Sequence, residues 1–258
     1  MCVLPREHGA YGQIAFPLIA ASAVAGASAA SLLMTVTVIA GFLAHEPAAI
    51  VLGQRGGRVK RELGASATRW LVCYLALGVA AGLAAVTRLD AATRWYLAIP
   101  AVPAIVLMVA MIKGREKSWF GEAAAALAFA GAAVPIALAA GASVDTALAV
   151  AIPFALLFTT TTLAVRVVVL RVRGGGDPGA AAATQRAALI LSAISTLVIA
   201  GLTLTGWLAS SVLLAAAPGL LTGTIVAARP PAATKLRTVG WSLVAVSTLT
   251  TLIVIATA

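Results

Sequence analysis

Any acid–base chemistry in this chain must use one of very few side chains. The sequence contains eight acidic residues and two histidines, and two of these ten, His45 and Glu46, are adjacent within an apolar stretch and precede Pro47. Adjacent helical residues point about 100° apart, but a proline disturbs the helix and can let both turn inward. Ionisable groups are costly to keep in an apolar segment. We therefore predict that His45 and Glu46 are the catalytic, proton-transferring pair.

Arginines and one further carboxylate are the candidate substrate-binding groups. Arg55 and Arg58 lie in the Gly-rich sequence RGGRVKRE at 55–62, directly after the His45–Glu46 stretch. Arg166 is flanked by apolar residues, and Glu122 opens an apolar run where a helix dipole would stabilise a carboxylate. Guanidinium forks and Gly-rich turns suit phosphate or carboxylate groups. The predicted substrate-binding set is His8, Arg55, Arg58, Glu122, Arg166 and Arg173.

Other kinds of site have little support in the sequence. No pair of closely spaced carboxylates is present to hold magnesium, and no His-rich zinc pattern or Ser-His-Asp arrangement is present. Cys2 and Cys73, the two cysteines, do not indicate a disulfide framework. We therefore predict no metal site, and the sequence does not indicate a cofactor.

The composition places these residues in a membrane. Of the 258 residues, 62% are hydrophobic and 10% are charged, and the mean hydropathy is +1.05. A soluble domain carries about a quarter charged residues, and no water-soluble fold could cover this much apolar surface. The net charge of +10 comes from basic residues in short gaps between apolar runs. We therefore expect membrane lipids, and not nucleic acid, as partners.

Apolar runs predict about nine transmembrane helices. Roughly 20 residues span the hydrocarbon, so the long apolar stretch from Ile14 to Gly53 predicts two helices with a turn near Gly26–Ser28. Dividing 187–227 into two helices depends on a turn at Thr205–Gly206. We predict an all-α, polytopic bundle with a single transmembrane domain over residues 1–258. The seven runs after the first pair lie at 70–86, 96–112, 123–140, 146–170, 187–204, 207–227 and 239–256.

The basic residues predict the orientation of the bundle. With a cytoplasmic N-terminus and nine helices, all but two of the 18 Lys and Arg residues lie on the inner side. The exceptions are Arg88 and Arg94. The C-terminus would then lie outside. The sequence ASAVAGASA at 21–29 also resembles a signal-peptide cleavage site, but the positive region before it is thin and is offset by an acidic residue.

Short patterns predict where helices approach each other and where a turn is repeated. Gly78 and Gly82 are four residues apart, as are Gly219 and Gly223, and such pairs let helices pack closely. The sequences VLGQRGG at 51–57 and VLRVRGG at 169–175 each follow an inward-running helix. If they are equivalent, they place two Gly-rich, Arg-bearing turns on the cytoplasmic side.

Five motifs together resemble a family of bacterial integral membrane proteins, the YwiC-like proteins. The motifs are PREHGAYGQ at 5–13, AHEP at 44–47, RGGRVKRE at 55–62, EKSWFGE at 116–122 and TLAVR at 162–166. The resemblance covers the first two-thirds of the chain, and PREHGAYGQ is the most specific part. It implies location in a bacterial cytoplasmic membrane and does not imply a reaction.

The layout is also similar, more distantly, to the UbiA-type intramembrane prenyltransferases. That resemblance implies nine helices around a lipid-facing cavity, with polar motifs at the cytoplasmic ends of helices two and six. The superfamily carries aspartate-rich magnesium motifs there, whereas this chain has His45, Glu46 and arginines. The resemblance therefore implies a UbiA-like arrangement without the usual magnesium-dependent prenyl transfer.

Three hypotheses for function follow from these patterns. The first is a cytoplasmic-face polar pocket that binds or modifies an anionic amphiphile. The second is a transporter or permease for a small anionic solute, with Glu46 and Arg166 lining its path. The third is a non-catalytic accessory membrane protein. Polar residues gathered at one face favour the first, because a transporter needs a polar path through the bilayer. The sequence does not indicate the substrate or the oligomeric state.

Overall fold

The structure, a computed structural model, describes residues 3–5, 8–172 and 178–257. These residues form helices joined by short turns, together with a 3-10 turn at Ala233–Lys235. The helices are α1 (His8–Ala25), α2 (Ala29–Val51), α3 (Gly57–Val86), α4 (Ala91–Trp95), α5 (Ala98–Ile112), α6 (Trp119–Gly131), α7 (Ala133–Ala139), α8 (Val144–Val172), α9 (Pro178–Leu204), α10 (Ser210–Ala228) and α11 (Leu236–Thr257).

The described residues contain eight helical segments that are long and apolar enough to cross a membrane. The pairs α4–α5 and α6–α7 each form one such segment, and α1 adds a shorter apolar helix, Gly9–Ala25. The prediction of an all-α polytopic bundle with about nine helices is therefore confirmed. The predicted turns near Gly26 and Gly206 are also present, and both glycines have positive φ angles, 79° and 78°.

Several helices begin earlier than their apolar runs. The third begins at Gly57 and not near Trp70, and α9 begins at Pro178 and not near Ala187. Hydropathy marks only the part of a helix that suits the hydrocarbon, whereas the backbone hydrogen bonds of a helix continue into polar sequence. The apolar side chains of Val59 and Leu63 pack against a buried cluster that includes Ile50, which supports the polar first turns of α3.

Prolines explain the two interrupted segments. A proline cannot donate a hydrogen bond to the carbonyl four residues earlier, and its ring crowds that carbonyl. Pro135 affects Gly131, the last residue of α6. Pro100 likewise affects Tyr96, which caps the C-terminus of α4. Each interrupted segment therefore consists of two helices within one candidate membrane span.

The helix α8 lies at the centre of the bundle. This helix contacts α1, α6, α7, α9, α10 and α11, while α3 packs mainly on α2, and α5 mainly on α6. Phe154 and Leu157 of α8 are fully buried in the main apolar cluster. The charged end of the bundle is therefore built on a central helix that bears Arg166 and on the separate α2–α3 pair.

The predicted glycine contacts are confirmed. A Cβ on Gly78 would lie 3.4 Å from Ala40 Cβ, and one on Gly82 would lie 3.4 Å from Thr37 Cγ2, which places both glycines against α2. A Cβ on Gly219 would lie 2.8 Å from Leu157 Cβ. The α8–α10 interface is therefore the tighter of the two.

We expect Gly219→Ala to destabilise the bundle by about 1–3 kcal/mol, because the added methyl overpacks the α8–α10 interface. Gly240→Ala in α11 is the matched control, since nothing lies within 4 Å of a Cβ at that position. Alanine favours a helix over glycine by up to about 1 kcal/mol. Thermal unfolding in detergent should show a lower midpoint for Gly219→Ala and an equal or higher one for Gly240→Ala. The reverse order would contradict the close approach of α8 and α10.

Candidate functional site

Glu46 is the most deeply buried acidic side chain at the charged end of the bundle. Its side chain is 3% exposed, and both of its oxygens accept hydrogen bonds from Arg55. Arg55 Nε donates to Oε1 and Oε2 at 3.1 Å, and Nη2 donates to Oε2 at 2.8 Å. A fork of this kind is among the strongest pairings available to a carboxylate. The arginine thereby ties the turn after α2 to the last part of α2.

A second buried carboxylate shares the same arginine. Arg55 Nη1 donates to Glu116 Oε1 at 2.7 Å, and the Glu116 side chain is only 8% exposed. His45 Nε2 lies 3.3 Å from Glu116 Oε2, which is an ion-pair distance, although Oε2 accepts no hydrogen bond of ordinary geometry among the described residues. We call His45, Glu46, Arg55 and Glu116 the ionic network.

The turn between α2 and α3 has the backbone that this network needs. Gly53 and Gly56 have φ angles of 80° and 93°, a region that side chains with a Cβ rarely adopt. Between them, the Gln54 side-chain amide donates to the Met111 carbonyl at the end of α5. Arg55 is thus presented to Glu116 by a turn that is also held on the α5 side. The predicted Gly-rich turn is therefore present, but its arginine pairs with carboxylates of its own chain.

The charges of the network stabilise Glu116 in its ionised form. His45 beside it, together with Arg55, lowers the pKa of Glu116 from an ordinary 4.5 to about 2, although burial acts in the opposite direction. The hydrogen bond to Glu46, more than that to Glu116, raises the pKa of Arg55 above its usual value. Arg55 and Glu116 are therefore both charged at neutral pH.

A separate ion pair joins α6 to α8. Arg166 Nη1 donates to Glu122 Oε2 at 2.9 Å and to the Lys117 carbonyl at 2.7 Å. Nearby, the Gln13 side-chain amide of α1 donates to Thr162 Oγ1 at 3.3 Å. Arg166 therefore secures the segment between α5 and α6, residues 113–118, which we call the α5–α6 loop.

An apolar groove begins beside this loop. Its volume is about 760 Å³, within the range typical of ligand pockets, and it lies between α5, α6 and α8. Trp119 and Phe120, in the first turn of α6, line one end, and Gly131 lies toward the other. Val102 and Ile152 contribute from the neighbouring helices. We call it the α6 groove.

The remaining predicted site residues lie apart from the network. The Arg58 side chain is 85% exposed and pairs with Glu62 one turn along α3 at 2.8 Å. His8 begins α1, and its side chain is not among those described. Arg173, together with Gly174 and Gly175 of the predicted second Gly-rich turn, lies outside the described residues. The structure thus brings together His45, Glu46 and Arg55 on the one hand, and Glu122 and Arg166 on the other.

Glu116 is a member of the network that sequence reasoning did not select. It lies between Arg115 and Lys117 in a segment that reads as a solvated, positively charged loop. Two signals could have identified it: it belongs to the EKSWFGE motif, and acidic residues are few in this chain. Its pairing with Arg55 spans 61 residues, and no local pattern encodes a contact at that separation.

Together, the spans and the ionic network define a polytopic helical membrane protein with a buried charge cluster at one end of the bundle. A family model described as YwiC-like protein matches residues 4–137, just over half of the chain. The chain belongs to this family. The match includes the whole ionic network and ends before α8, so Arg166 lies beyond it. No curated protein and no solved structure matches the chain, so the UbiA-like arrangement stays a prediction.

We expect Arg55→Ala to destabilise the protein by about 3–5 kcal/mol, because it leaves two buried carboxylates without their shared partner. Arg58→Ala is the control. It removes an exposed i,i+4 pair with Glu62, which contributes about 0–1 kcal/mol. Unfolding midpoints in detergent would compare the two variants. Equal midpoints would contradict the assignment of Arg55 to the network.

The lowered pKa of Glu116 predicts an acid-dependent loss of stability. A carboxyl with a depressed pKa in the folded state stabilises the fold fully above its ordinary pKa and loses that contribution as pH falls through the folded value. For Glu116 this window extends from 4.5 down to about 2. Melting at stepwise lower pH should show a steeper decline for the parent than for Glu116→Gln. Parallel declines would show that Glu116 does not make this contribution.

Proposed function

We propose that the protein binds an anionic amphiphile at the cytoplasmic face of the bacterial inner membrane. The apolar tail would occupy the α6 groove, and the headgroup would lie beside the α5–α6 loop. The observation that carries the proposal is the position of this apolar groove, which begins at Trp119, the residue that directly follows the basic loop.

The dimensions and lining of the α6 groove suit a lipid tail. Trp119 and Gly131 both line it and are twelve residues apart on α6, which corresponds to about 18 Å along the helix axis. This length is close to the depth of one leaflet, about half of the 30 Å hydrocarbon core. Its walls are formed mainly by apolar side chains such as Val102, Leu127 and Ile152. These walls favour an acyl or isoprenoid chain over a hydrated solute.

The charge beside the groove suits an anionic headgroup. Lys113, Arg115 and Lys117 of the α5–α6 loop are exposed, whereas Glu116 is turned inward onto Arg55. The loop therefore exposes its basic side chains, while the negative charge of Glu116 is directed toward Arg55. Each basic residue near an anionic membrane surface contributes about 1 kcal/mol of attraction.

The predicted site residues support this arrangement in different ways. Arg166 and Glu122 hold the loop and α6 in place. Glu46 has both carboxylate oxygens on Arg55, so proton transfer by Glu46 would require this fork to open. His45 is 27% exposed and is the member of the predicted catalytic pair that can exchange a proton without such a change.

The inner, cytoplasmic orientation is supported by charge. The α5–α6 loop and the basic first turns of α3 lie at the end of the bundle that contains the ionic network. Arg88 follows the C-terminus of α3 and Arg94 lies in α4, so both are at the opposite end of α3. Basic residues collect on the cytoplasmic side of membrane proteins, which supports a cytoplasmic position for the network.

The test measures lipid retention by native mass spectrometry. Protein purified from mixed micelles would be offered phosphatidylglycerol or phosphatidylcholine with identical acyl chains. We expect preferential retention of phosphatidylglycerol. Arg115→Gln should weaken that retention about fivefold, the equivalent of one basic contact, and Arg166→Ala should weaken it by releasing the loop. Arg88→Gln, at the opposite end, is the charge-matched control and should retain lipid like the parent.

A second variant tests the groove itself. Ala123 lines the α6 groove, and Ala123→Phe should reduce retention of both lipids because the ring fills the space for the tail. Ala76→Phe, on the exposed face of α3, is the size-matched control. Equal retention of the two lipids by the parent, or parent-like retention by Ala123→Phe, would refute the proposal.

A further inference from the structure

We propose that His45 and Glu116 form a proton-binding site whose occupancy controls docking of the α5–α6 loop onto the end of α2. The proton would be carried by His45. This inference rests on the proposed function only in its consequence for lipid binding, because the same loop forms the entrance of the α6 groove. The proton site itself can be tested without any lipid.

The charges of the ionic network call for one more positive group. Glu46 and Glu116 are two buried carboxylates, and among the described residues Arg55 is the one guanidinium that bonds to both. With a neutral imidazole, these side chains carry one uncompensated negative charge. A proton on His45 would supply a positive charge beside Glu116 Oε2, the buried oxygen that accepts no hydrogen bond from the described residues. Burying an uncompensated charge is costly, and a proton on the imidazole would remove that cost.

The geometry identifies Glu116 Oε2 as the acceptor. Oε1 is bonded to Arg55 at 2.7 Å, but Oε2 is buried and accepts no hydrogen bond from the described residues. His45 Nε2 lies 3.3 Å from Oε2. A buried carboxylate oxygen next to an imidazole is therefore poised to gain a charge-assisted bond when the ring is protonated.

Two other titratable side chains, Lys60 and Tyr11, lie on helices that contact α2. Lys60 of α3 lies against the turn, since a Cβ on Gly53 would be 3.9 Å from its Nζ. Tyr11 of α1 packs on Phe42 and donates its hydroxyl to the Pro5 carbonyl. The sequence of α7 contains no ionisable side chain. Residues 6 and 7 and the side chain of residue 8 lie outside the description.

Within the network, His45 is the side chain proposed to carry the extra proton. Imidazole is the side chain whose ordinary charge change falls between about pH 5 and 8. Glu116 is held ionised across that range by its neighbours, and an arginine stays protonated. In the proposed site the proton is held between His45 and Glu116, which are 3.3 Å apart, and its loss would weaken the attachment of Glu116 to α2.

The loop transmits this change to the groove. Residue 116 lies between two attachment points: Arg115 N donates to the Ala110 carbonyl at the end of α5, and the Lys117 carbonyl accepts from Arg166. Ser118 then caps the N-terminus of α6 by accepting a hydrogen bond from Gly121 N at 3.2 Å, and Trp119 lines the groove. Undocking of Glu116 would shift the basic loop away from the groove entrance.

Hydrogen–deuterium exchange of the α5–α6 loop tests the proton site directly. The full-length protein would be studied in nonionic detergent without added lipid, at about pH 5.5 and 7.5, with rates corrected for intrinsic exchange. Gly114, Arg115 and Ser118 have hydrogen-bonded amides that report on docking. We expect exchange in the parent to be about tenfold slower at the lower pH, the size of one charge-assisted hydrogen bond.

Two histidine variants form a matched pair, because the chain contains only two histidines. His45→Gln should abolish the pH response, and His8→Gln should retain it. Glu116→Gln should also abolish it, since the amide lacks the charge that the imidazolium pairs with. A pH response that survives in His45→Gln, or is absent from the parent, would overturn the proposal.

A lipid arm separates this inference from the proposed function. Phosphatidylglycerol retention would be measured at the same two pH values in the parent and in His45→Gln. Greater retention by the parent at the lower pH, absent from His45→Gln, supports coupling to the groove. A pH-dependent loop combined with pH-independent retention would overturn the coupling while the proton site stands. Failure of lipid binding at both pH values would refute the proposed function alone.

Discussion

The charged end of this bundle depends on a single guanidinium shared by two buried carboxylates. Arg55 bonds to Glu46 on α2 and to Glu116 in the α5–α6 loop, so three separate pieces of chain meet at one side chain. A forked guanidinium is among the strongest partners available to a buried carboxylate. The position of the loop, and with it the entrance of the α6 groove, follows from this interaction.

The helices around the network supply a rigid frame on which the loop is held. The α2–α3 pair and the α8–α10 pair approach closely because glycines face the neighbouring helix. Arg166 on α8 then fixes the far side of the loop through Glu122 and the Lys117 carbonyl. The loop is therefore attached to the peripheral pair through Arg55 and to the central helix through Arg166. A change at one attachment can move the basic side chains while the helices stay in place.

Sequence reasoning succeeded where one local property decides the outcome. Apolar length predicted the membrane segments, paired glycines predicted close helix contacts, and the two positive-φ glycines at 26 and 206 mark turns that were predicted. It was less successful at helix boundaries, such as the start of α3 at Gly57. Hydropathy indicates whether a side chain suits lipid or water, and it does not show where the backbone hydrogen bonds of a helix begin or end.

The sequence alone determined that this is a multi-pass helical membrane protein and that His45, Glu46 and Arg55 lie near one end of it. Only the tertiary structure decided their partners. Arg55 and Arg58 look alike in the sequence, yet one is fixed between two carboxylates and the other is exposed beside Glu62. Glu116 reads as a loop residue but completes the network. The physical reason is that an ion pair requires two charges within about 4 Å, and the packing of distant helices sets that distance.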